Sequence, residues 1–239
     1  PPSDNHPYFS HFFKWSQASQ ILASLGKVWQ PFGGAGYFVL LVLLAISVLA
    51  AVGLIVLPTA VLRRRERREA ASQGFLADLI YFGLLGLGYL FVEIPLIQVG
   101  VLILGHPAYA FTAVLFAILL FSGIGSSLSD RLPIRRALQG LVICLVMLIL
   151  TQRLWMAMLL PRSELIRWTG LILLLAPVGF LMGMPFPSGL RRFGVGLSHR
   201  APWAFAVNGA TSVVASVLAQ TVALSGGFTW VLLIGTMCY

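Results

Sequence analysis

Long runs of apolar residues alternate with short polar segments along most of this chain. Most of the runs reach the roughly 20 residues that a helix needs to cross a bilayer. They cover residues 37–58, 77–104, 108–128, 138–160, 166–186, 203–224 and 228–239. The pattern predicts an all-α fold, a polytopic transmembrane bundle of about seven spans over residues 37–239. The last run stops with the chain in mid-span, so we expect the sequence to be a fragment.

Composition agrees with a membrane location. Hydrophobic residues make up 59% of the chain and charged residues 10%, with a mean hydropathy of +0.93, whereas about a quarter of the residues in soluble domains are charged. The net charge of +9 comes largely from arginines in short clusters between apolar runs, a pattern that favours control of membrane orientation over nucleic-acid binding. Cys144 and Cys238 lie far apart inside apolar runs, so neither a disulfide framework nor a metal site is indicated.

Arginine-rich loops follow the first, third and fifth predicted spans, and alternation places all three on one side of the membrane. The positive-inside rule makes that side cytoplasmic. The loops contain Arg63, Arg64, Arg65, Arg67 and Arg68, then Arg131, Arg135 and Arg136, then Arg191, Arg192 and Arg200. The loop at 161–165 does not fit this distribution, because it lies on the opposite side and Arg153, Arg162 and Arg167 flank it. This orientation puts the aromatic and polar N-terminal segment, residues 1–36, outside the cytoplasm, as an interfacial segment or a tail docked on the bundle.

One carboxylate lies inside a predicted span. Glu93 shares a seven-residue spacing with Gly86 and Gly100, so the three residues fall on one stripe of the second span. A carboxylate at membrane depth costs several kcal/mol unless it is paired, protonated or hydrated, so we expect it to face the bundle interior. Two roles stay open: a structural tie between helices, or a site for a proton, an ion or a substrate.

Two further polar residues are candidates for an intramembrane site. Asn208 lies on a stripe of small and polar residues in the sixth span, a pattern typical of close helix packing. Its amide can both donate and accept hydrogen bonds, which makes it a candidate partner for Glu93. His106 lies with Pro107 in the turn between the second and third spans, where it is either a cap or interfacial residue or a proton relay.

Prolines and glycines mark the cytoplasmic half of the bundle. Pro177 and the run at 183–187 are predicted to break the fifth span twice. Glycines 123 and 125 precede Asp130 and Arg131, and we predict that this turn, together with Arg191, forms a charged cytoplasmic site. No residue is predicted to be catalytic, to bind a cofactor or to ligate a metal.

Several segments resemble one membrane family. They are GLGYLFVEIPLIQVGVLILGHPAYAF at 86–111, FSGIGSSLSDR at 121–131, GMPFPSGLRR at 183–192 and PWAFAVNGATSVVASVLA at 202–219. All four are similar to the polytopic membrane spermidine-synthase-like proteins, also described as fused major-facilitator/spermidine synthase proteins. The opening SDNHPYFSHFF and the later WQPFGGAGY look like the junction that follows the aminopropyltransferase-like domain of that family.

The resemblance implies a soluble transferase domain ahead of residue 1, which would use S-adenosylmethionine or its decarboxylated form. The chain itself is not expected to be an enzyme or to hold a cofactor. With an odd number of spans and the basic loops inside, that domain would lie outside the cytoplasm, where S-adenosylmethionine is not expected. The orientation, the span count or the cofactor would then have to differ.

Three functional classes remain open. The chain is the anchor or substrate-access domain of an aminopropyl- or methyl-transferase, a transporter-like module of major-facilitator type, or a noncatalytic transmembrane subunit of a larger complex. The second class draws on the loop from Gly125 through Asp130 to Arg136, which resembles a loosened form of a cytoplasmic loop in major-facilitator transporters. The expected surroundings are the lipid bilayer, other membrane subunits in the third class, and a prokaryotic cytoplasmic membrane.

Overall fold

The computed structural model describes the backbone of residues 35–63, 75–194 and 201–239 and the side chains of 39–54, 77–192 and 201–239. The regular structure in these ranges is α-helical throughout, which confirms the predicted fold class. In chain order the helices are α1 Ala35–Arg63, α2 Phe75–Leu104, α3 Pro107–Ser127, α4 Ile134–Leu150, α5 Gln152–Leu159, α6 Glu164–Met182, α7 Pro185–Gly194, α8 Ala201–Gly226 and α9 Phe228–Met237. The predictions for the N-terminal segment fall on residues outside the described ranges.

Within the described residues, four helical stretches are long and apolar enough to cross a membrane, and a fifth is added if α4 and α5 count as one bent span. The four are Ala77–Leu104, Pro107–Ser127, Glu164–Arg192, which joins α6 to α7, and Ala201–Gly226. Shorter apolar stretches lie in α1, at Val39–Leu54, and in α9, at Phe228–Met237. The chain therefore has four to five candidate spans by length and composition, as fits an integral membrane protein.

Helix α2 is the centre of the bundle. It packs against α3, α8 and α9, and along part of its length against α6 and α7. Phe91, Val92 and Leu96 on its middle turns are fully buried. A helix that is apolar on all sides is stable only when other helices or lipid surround it, and here protein surrounds the middle turns.

The main apolar core lies between α2, α3, α4 and α6. Its largest fully buried side chains are Leu96, Ile103, Ile118, Leu141, Leu145, Leu171 and Leu175. Many large apolar side chains face outward instead, for example Leu49, Phe116 and Leu173. A water-soluble protein rarely exposes so much apolar surface, whereas lipid chains accept it without cost.

The fourth predicted span, 138–160, is not a straight helix. Helix α4 ends at Leu150, and α5 leaves it at an angle of 65°. Thr151 adopts φ −93° and ψ 7° at the bend, and its hydroxyl donates to the carbonyl of Met147 at 2.6 Å. The Trp155 indole N–H donates to the carbonyl of Leu148 at 3.3 Å. These side chains supply donors that a helix end otherwise lacks, so the break is stabilised locally.

The fifth predicted span breaks once, at Gly183 and Met184, between α6 and α7. Pro177 lies inside α6 and does not end that helix. Pro185 opens α7, a position where the missing backbone N–H of proline would have had no helical partner. The predicted break at 183–187 is therefore confirmed at Gly183 and Met184. No helix ends at Pro177.

Three contacts show which helix ends lie together. The Tyr81 hydroxyl donates to the carbonyl of Pro185 at 2.7 Å, and the Asn208 amide donates to the carbonyl of Phe82 at 3.1 Å. Arg191 pairs with Asp130 at 2.8 Å. The starts of α2 and α8, the helix α7 and the turn at 128–133 therefore share one end of the bundle, which we call the basic end. The turn at 105–106 and Gly227 lie at the opposite end.

Candidate functional site

Glu93 lies on α2 and is 7% exposed. Gly86 and Gly100, which share its seven-residue spacing, are also buried. The prediction that Glu93 faces the bundle interior is therefore confirmed. At a rise of 1.5 Å per residue, its Cα lies roughly 24 Å along the helix from Ala77 and roughly 16 Å from Leu104. The carboxyl group is thus held at membrane depth, beyond the midpoint as measured from the basic end.

Tyr89 accompanies Glu93 one helical turn earlier, on the same face of α2. The carboxyl group of Glu93 and the hydroxyl of Tyr89 interact electrostatically, and Ser122 on α3 lies near the Tyr89 hydroxyl. The Ser122 hydroxyl donates its own proton to the carbonyl of Leu119 at 3.1 Å. The proton of the Ser122 hydroxyl is therefore taken up within α3.

Tyr239, two residues after the end of α9, brings a third polar side chain to this region. Its ring lies beside α2, where a Cβ atom at Gly88 would be 3.0 Å from it. Tyr239 interacts electrostatically with Tyr89, Glu93 and Tyr81. It packs both against the main core and against the smaller apolar cluster near the start of α2. Tyr239 therefore lies between the two tyrosines of α2.

Tyr81 completes the set toward the basic end. Besides donating to the Pro185 carbonyl, its hydroxyl interacts electrostatically with Arg192 on α7. We call Tyr81, Tyr89, Tyr239 and Glu93 the tyrosine–carboxylate cluster. It extends from the basic end of the bundle to membrane depth, and it places one ionisable carboxyl group at its inner end.

The structure separates Asn208 from Glu93. Asn208 bonds to Phe82, which precedes Glu93 by eleven residues, or roughly 16 Å along the helix axis. The close approach of α8 to α2 at Gly86 explains this position, because a Cβ atom at Gly86 would overlap the carbonyl of Asn208 and would lie 2.5 Å from the Thr211 hydroxyl oxygen. Asn208 therefore ties α8 to the start of α2 and does not reach the carboxyl group.

His106 lies at the opposite end of the bundle, roughly 20 Å from Glu93 along the axis of α2. It precedes the first residue of α3 and makes no side-chain capping bond. Its ring is 4.9 Å from that of Tyr109, which is 5.8 Å from Trp168. His106 thus belongs to an exposed aromatic group near the membrane surface, and the structure does not bring it to the cluster.

The predicted cytoplasmic charged site is partly assembled. The Arg191 guanidinium pairs with Asp130 and donates to the hydroxyls of Ser129 at 3.0 Å and Ser188 at 3.2 Å. The side chains of Arg191 and Asp130 are 43% and 70% exposed, so solvent screens the pair and its stabilisation is small. Arg131 has an exposed side chain, and its backbone N–H bonds to the carbonyl of Leu128. The three residues lie near one another, but the ion pair joins only Asp130 and Arg191.

Sequence reasoning singled out Glu93 and missed the tyrosines around it. The spacing of Tyr89 and Glu93 could have revealed one partner, because residues four apart share a helix face. Nothing in the local pattern connects Ser122 or Tyr239 to that face, since both come from distant segments. In the ranges for which side chains are described, no three His, Cys, Asp or Glu residues converge as metal ligands.

Comparison with known proteins adds no relative: no family model, no curated protein and no solved structure matches the chain. The resemblance to spermidine-synthase-like membrane proteins therefore stays a prediction.

Proposed function

We propose that this chain is the membrane domain of a spermidine-synthase-like integral membrane protein. In this proposal it anchors a soluble transferase domain of the S-adenosylmethionine type to a prokaryotic cytoplasmic membrane, or gives that domain access to a substrate in the bilayer. The observation that supports the proposal is that the four segments carrying the resemblance contact one another within the bundle.

These contacts involve glycines and charges within the segments. Gly86 of the first segment meets Asn208 of the fourth, and Gly183 of the third meets the backbone of Ser122 in the second. Asp130, also in the second segment, pairs with Arg191 in the third. Close packing limits which residues can lie at a contact between two helices. The resemblance thus falls on residues that hold one bundle, which favours a common membrane architecture.

The proposal includes seven spans. Helix α1 has 29 residues, a length of roughly 43 Å, and packs against α8. Helix α9 turns back from α8 at Gly227, which has φ +87°, and packs against α2 and α8. The four long candidates already include α6 with α7 as one span, and α4 with α5 as one bent span, α1 and α9 bring the number to about seven.

Ligand binding by the full-length gene product tests the anchor function. Isothermal titration of the purified, folded protein with S-adenosylmethionine or decarboxylated S-adenosylmethionine should show binding, and residues 35–239 alone should show none. The membrane part alone is the matched control, because it contains the bundle without the soluble domain. No binding of either compound to the folded full-length protein would contradict the transferase proposal.

The tyrosine–carboxylate cluster favours a second candidate, a transporter-like module. Ionisable residues inside a membrane are expensive and commonly mark proton or substrate pathways. Glu93 is held at membrane depth beside Tyr89 and Tyr239. In proteoliposomes a transporter of this kind would move its substrate across the membrane when a proton gradient is applied. Glu93→Gln would abolish that transport while leaving the fold intact. Equal transport by Glu93→Gln and the unmodified protein would remove this candidate.

A further inference from the structure

Arg167 lies in the first turn of α6, at the end of the bundle opposite the basic end. Its guanidinium donates through Nη1 to the carbonyl of Ile103 at 2.9 Å. Ile103 belongs to the last turn of α2, so this arginine ties the start of α6 to the end of α2. A cation beside the last carbonyls of a helix is favourable, and this contact fixes where the guanidinium lies.

The guanidinium of Arg167 has more donors than the described part of the chain satisfies. A guanidinium has five N–H donors and a permanent positive charge. Among the described residues, Arg167 bonds through its side chain to Ile103 alone, and its buried Nε has no acceptor. It makes no ion pair with a carboxylate in these ranges, although the exposed Glu164 lies three residues earlier. A partly buried charge of this kind attracts an anion more strongly than a fully solvated one.

This guanidinium lies at the depth of the lipid headgroups. The apolar stretch Ala77–Leu104 has 28 residues and is therefore roughly 42 Å long, which matches the 40–45 Å thickness of a bilayer that includes its headgroup layers. Ile103 is the second-last residue of this stretch, so its carbonyl lies near the edge of the bilayer at that end. Arg167 therefore reaches the layer in which phospholipid phosphates lie.

Aromatic side chains next to Arg167 agree with this depth. Trp168 follows it on α6, and the Trp168 ring centre lies 5.8 Å from that of Tyr109. The Tyr109 ring lies 4.9 Å from that of His106, and both residues are exposed. Tyrosine and tryptophan are enriched where a membrane meets water. The aromatic group and Arg167 thus form one patch at the headgroup layer.

Exposed apolar side chains begin directly beside the guanidinium. Ile166 precedes Arg167, and Leu173 lies seven residues further along the same face of α6. Their side chains are 46% and 69% exposed. This face runs from the headgroup layer into the membrane, so it suits an acyl chain and offers nothing to a small soluble anion. An anion site with an apolar face next to it fits a phospholipid.

Arg162 adds to the positive charge at this end. It is exposed in the turn between α5 and α6, where its backbone N–H bonds to the carbonyl of Leu159. Under the predicted orientation, the positive-inside rule expects few arginines on this side of the membrane. An arginine that binds a lipid phosphate has a reason to lie there that does not depend on membrane orientation.

We propose that Arg167 binds the phosphate group of an anionic phospholipid in the leaflet opposite the basic end. The remaining N–H groups on its two terminal nitrogens donate to the phosphate oxygens. Trp168 and Tyr109 flank the headgroup, and an acyl chain lies along Ile166 and Leu173. This lipid site goes beyond the anchor function and does not depend on it.

Binding of phosphatidylglycerol with brominated acyl chains to the full-length protein, in a neutral detergent, tests the site. Bromine quenches nearby tryptophan fluorescence, and the contribution of Trp168 is the part of the signal that is lost in Trp168→Phe. We expect saturable quenching of this part. Brominated phosphatidylcholine, whose choline group neutralises the phosphate, should bind more weakly, and inorganic phosphate should not displace the phosphatidylglycerol.

Arg167→Gln should weaken phosphatidylglycerol binding about tenfold or more, which corresponds to about 1.4 kcal/mol or more. The substitution removes the charge and leaves a side-chain donor for the carbonyl of Ile103. Arg167→Lys keeps the charge without the planar fork and should restore part of the affinity. Arg135→Gln is the matched control, since Arg135 is exposed at the basic end and the net charge changes equally; its affinity should equal that of the unmodified protein.

Three results overturn the lipid site. One is the absence of saturable Trp168 quenching by phosphatidylglycerol in the unmodified protein, which needs no Arg167 variant to fold. Another is an unaltered affinity in Arg167→Gln, or an equal loss of affinity in Arg135→Gln. The third is inorganic phosphate that binds as tightly as the lipid, which would assign Arg167 to a soluble anion and not to a phospholipid.

Discussion

Gly125 gives a sharp test of the helix packing in this bundle. It lies on α3 against α6, and a Cβ atom there would overlap the backbone carbonyl of Phe180. A backbone carbonyl in a packed helix cannot rotate away, so Gly125→Ala must push the two helices apart. Overpacking of this kind costs about 1 to 3 kcal/mol, and the better helix propensity of alanine returns up to about 1 kcal/mol. We therefore expect Gly125→Ala to lower the free energy of unfolding by about 0 to 3 kcal/mol.

Gly123→Ala is the matched control, because Gly123 lies two residues earlier on the same helix and a Cβ atom added there would have no neighbour within 4 Å. Here only the better helix propensity of alanine acts, so the free energy of unfolding should rise by up to about 1 kcal/mol. Both values are measured by circular dichroism as sodium dodecyl sulfate is added to mixed detergent micelles. Equal changes in the two variants would refute the close contact between α3 and α6.

Three further predictions concern orientation, the buried carboxyl and the surface ion pair. Cysteines introduced at Ser72 and Ser198 should react only with reagents admitted to the cytoplasm, and one at Ala108 only from the outer face; the reverse labelling would invert the bundle. If Glu93 is a structural tie, Glu93→Gln should keep most of the stability because the amide retains hydrogen-bonding capacity, whereas Glu93→Leu should cost roughly 1 to 3 kcal/mol by stranding its neighbours; similar losses in both variants in the same unfolding assay would contradict this role. Asp130→Asn should lower stability by less than about 1 kcal/mol, because its ion pair is exposed, and a larger loss would show that the pair is shielded from solvent.

The helical fold and the burial of Glu93 could be predicted because both depend on local pattern. A run of apolar residues long enough for a bilayer forms a helix wherever it lies, since lipid offers its backbone no hydrogen bonds. The spacing of Gly86, Glu93 and Gly100 fixes a common face, and the cost of a charge in lipid decides that this face turns inward. None of these arguments needs a second segment of the chain.

The bend at Thr151 shows where the hydropathy pattern stops being informative. The run at 138–160 is apolar enough on average for one span, but Thr151, Gln152 and Arg153 form a short polar segment within it. Thr151 and Trp155 supply hydrogen bonds to the end of α4, so the helix can stop there at little cost. An average over about 20 residues cannot reveal a break that three residues stabilise.

The two glycines of FSGIGSSLSDR show that local sequence is also uninformative about contacts between distant segments. Gly123 and Gly125 look alike in the sequence, yet only Gly125 faces the backbone of another helix. Which glycine is essential depends on the rotation of α3 about its axis relative to α6. That rotation is set by packing around Ile118 and Gly179, which also meet across this interface, and neither glycine's local sequence encodes it.

The candidate site combines both kinds of information. A buried carboxyl group must find polar neighbours inside the protein, because lipid supplies none, so the sequence alone implies that Glu93 has partners. Tyr89 could be inferred from its spacing on the same helix, while Ser122 and Tyr239 reach the site only through the packing of α3 and α9 against α2. Which residues from other helices surround Glu93 is therefore a property of the tertiary fold and not of α2 itself.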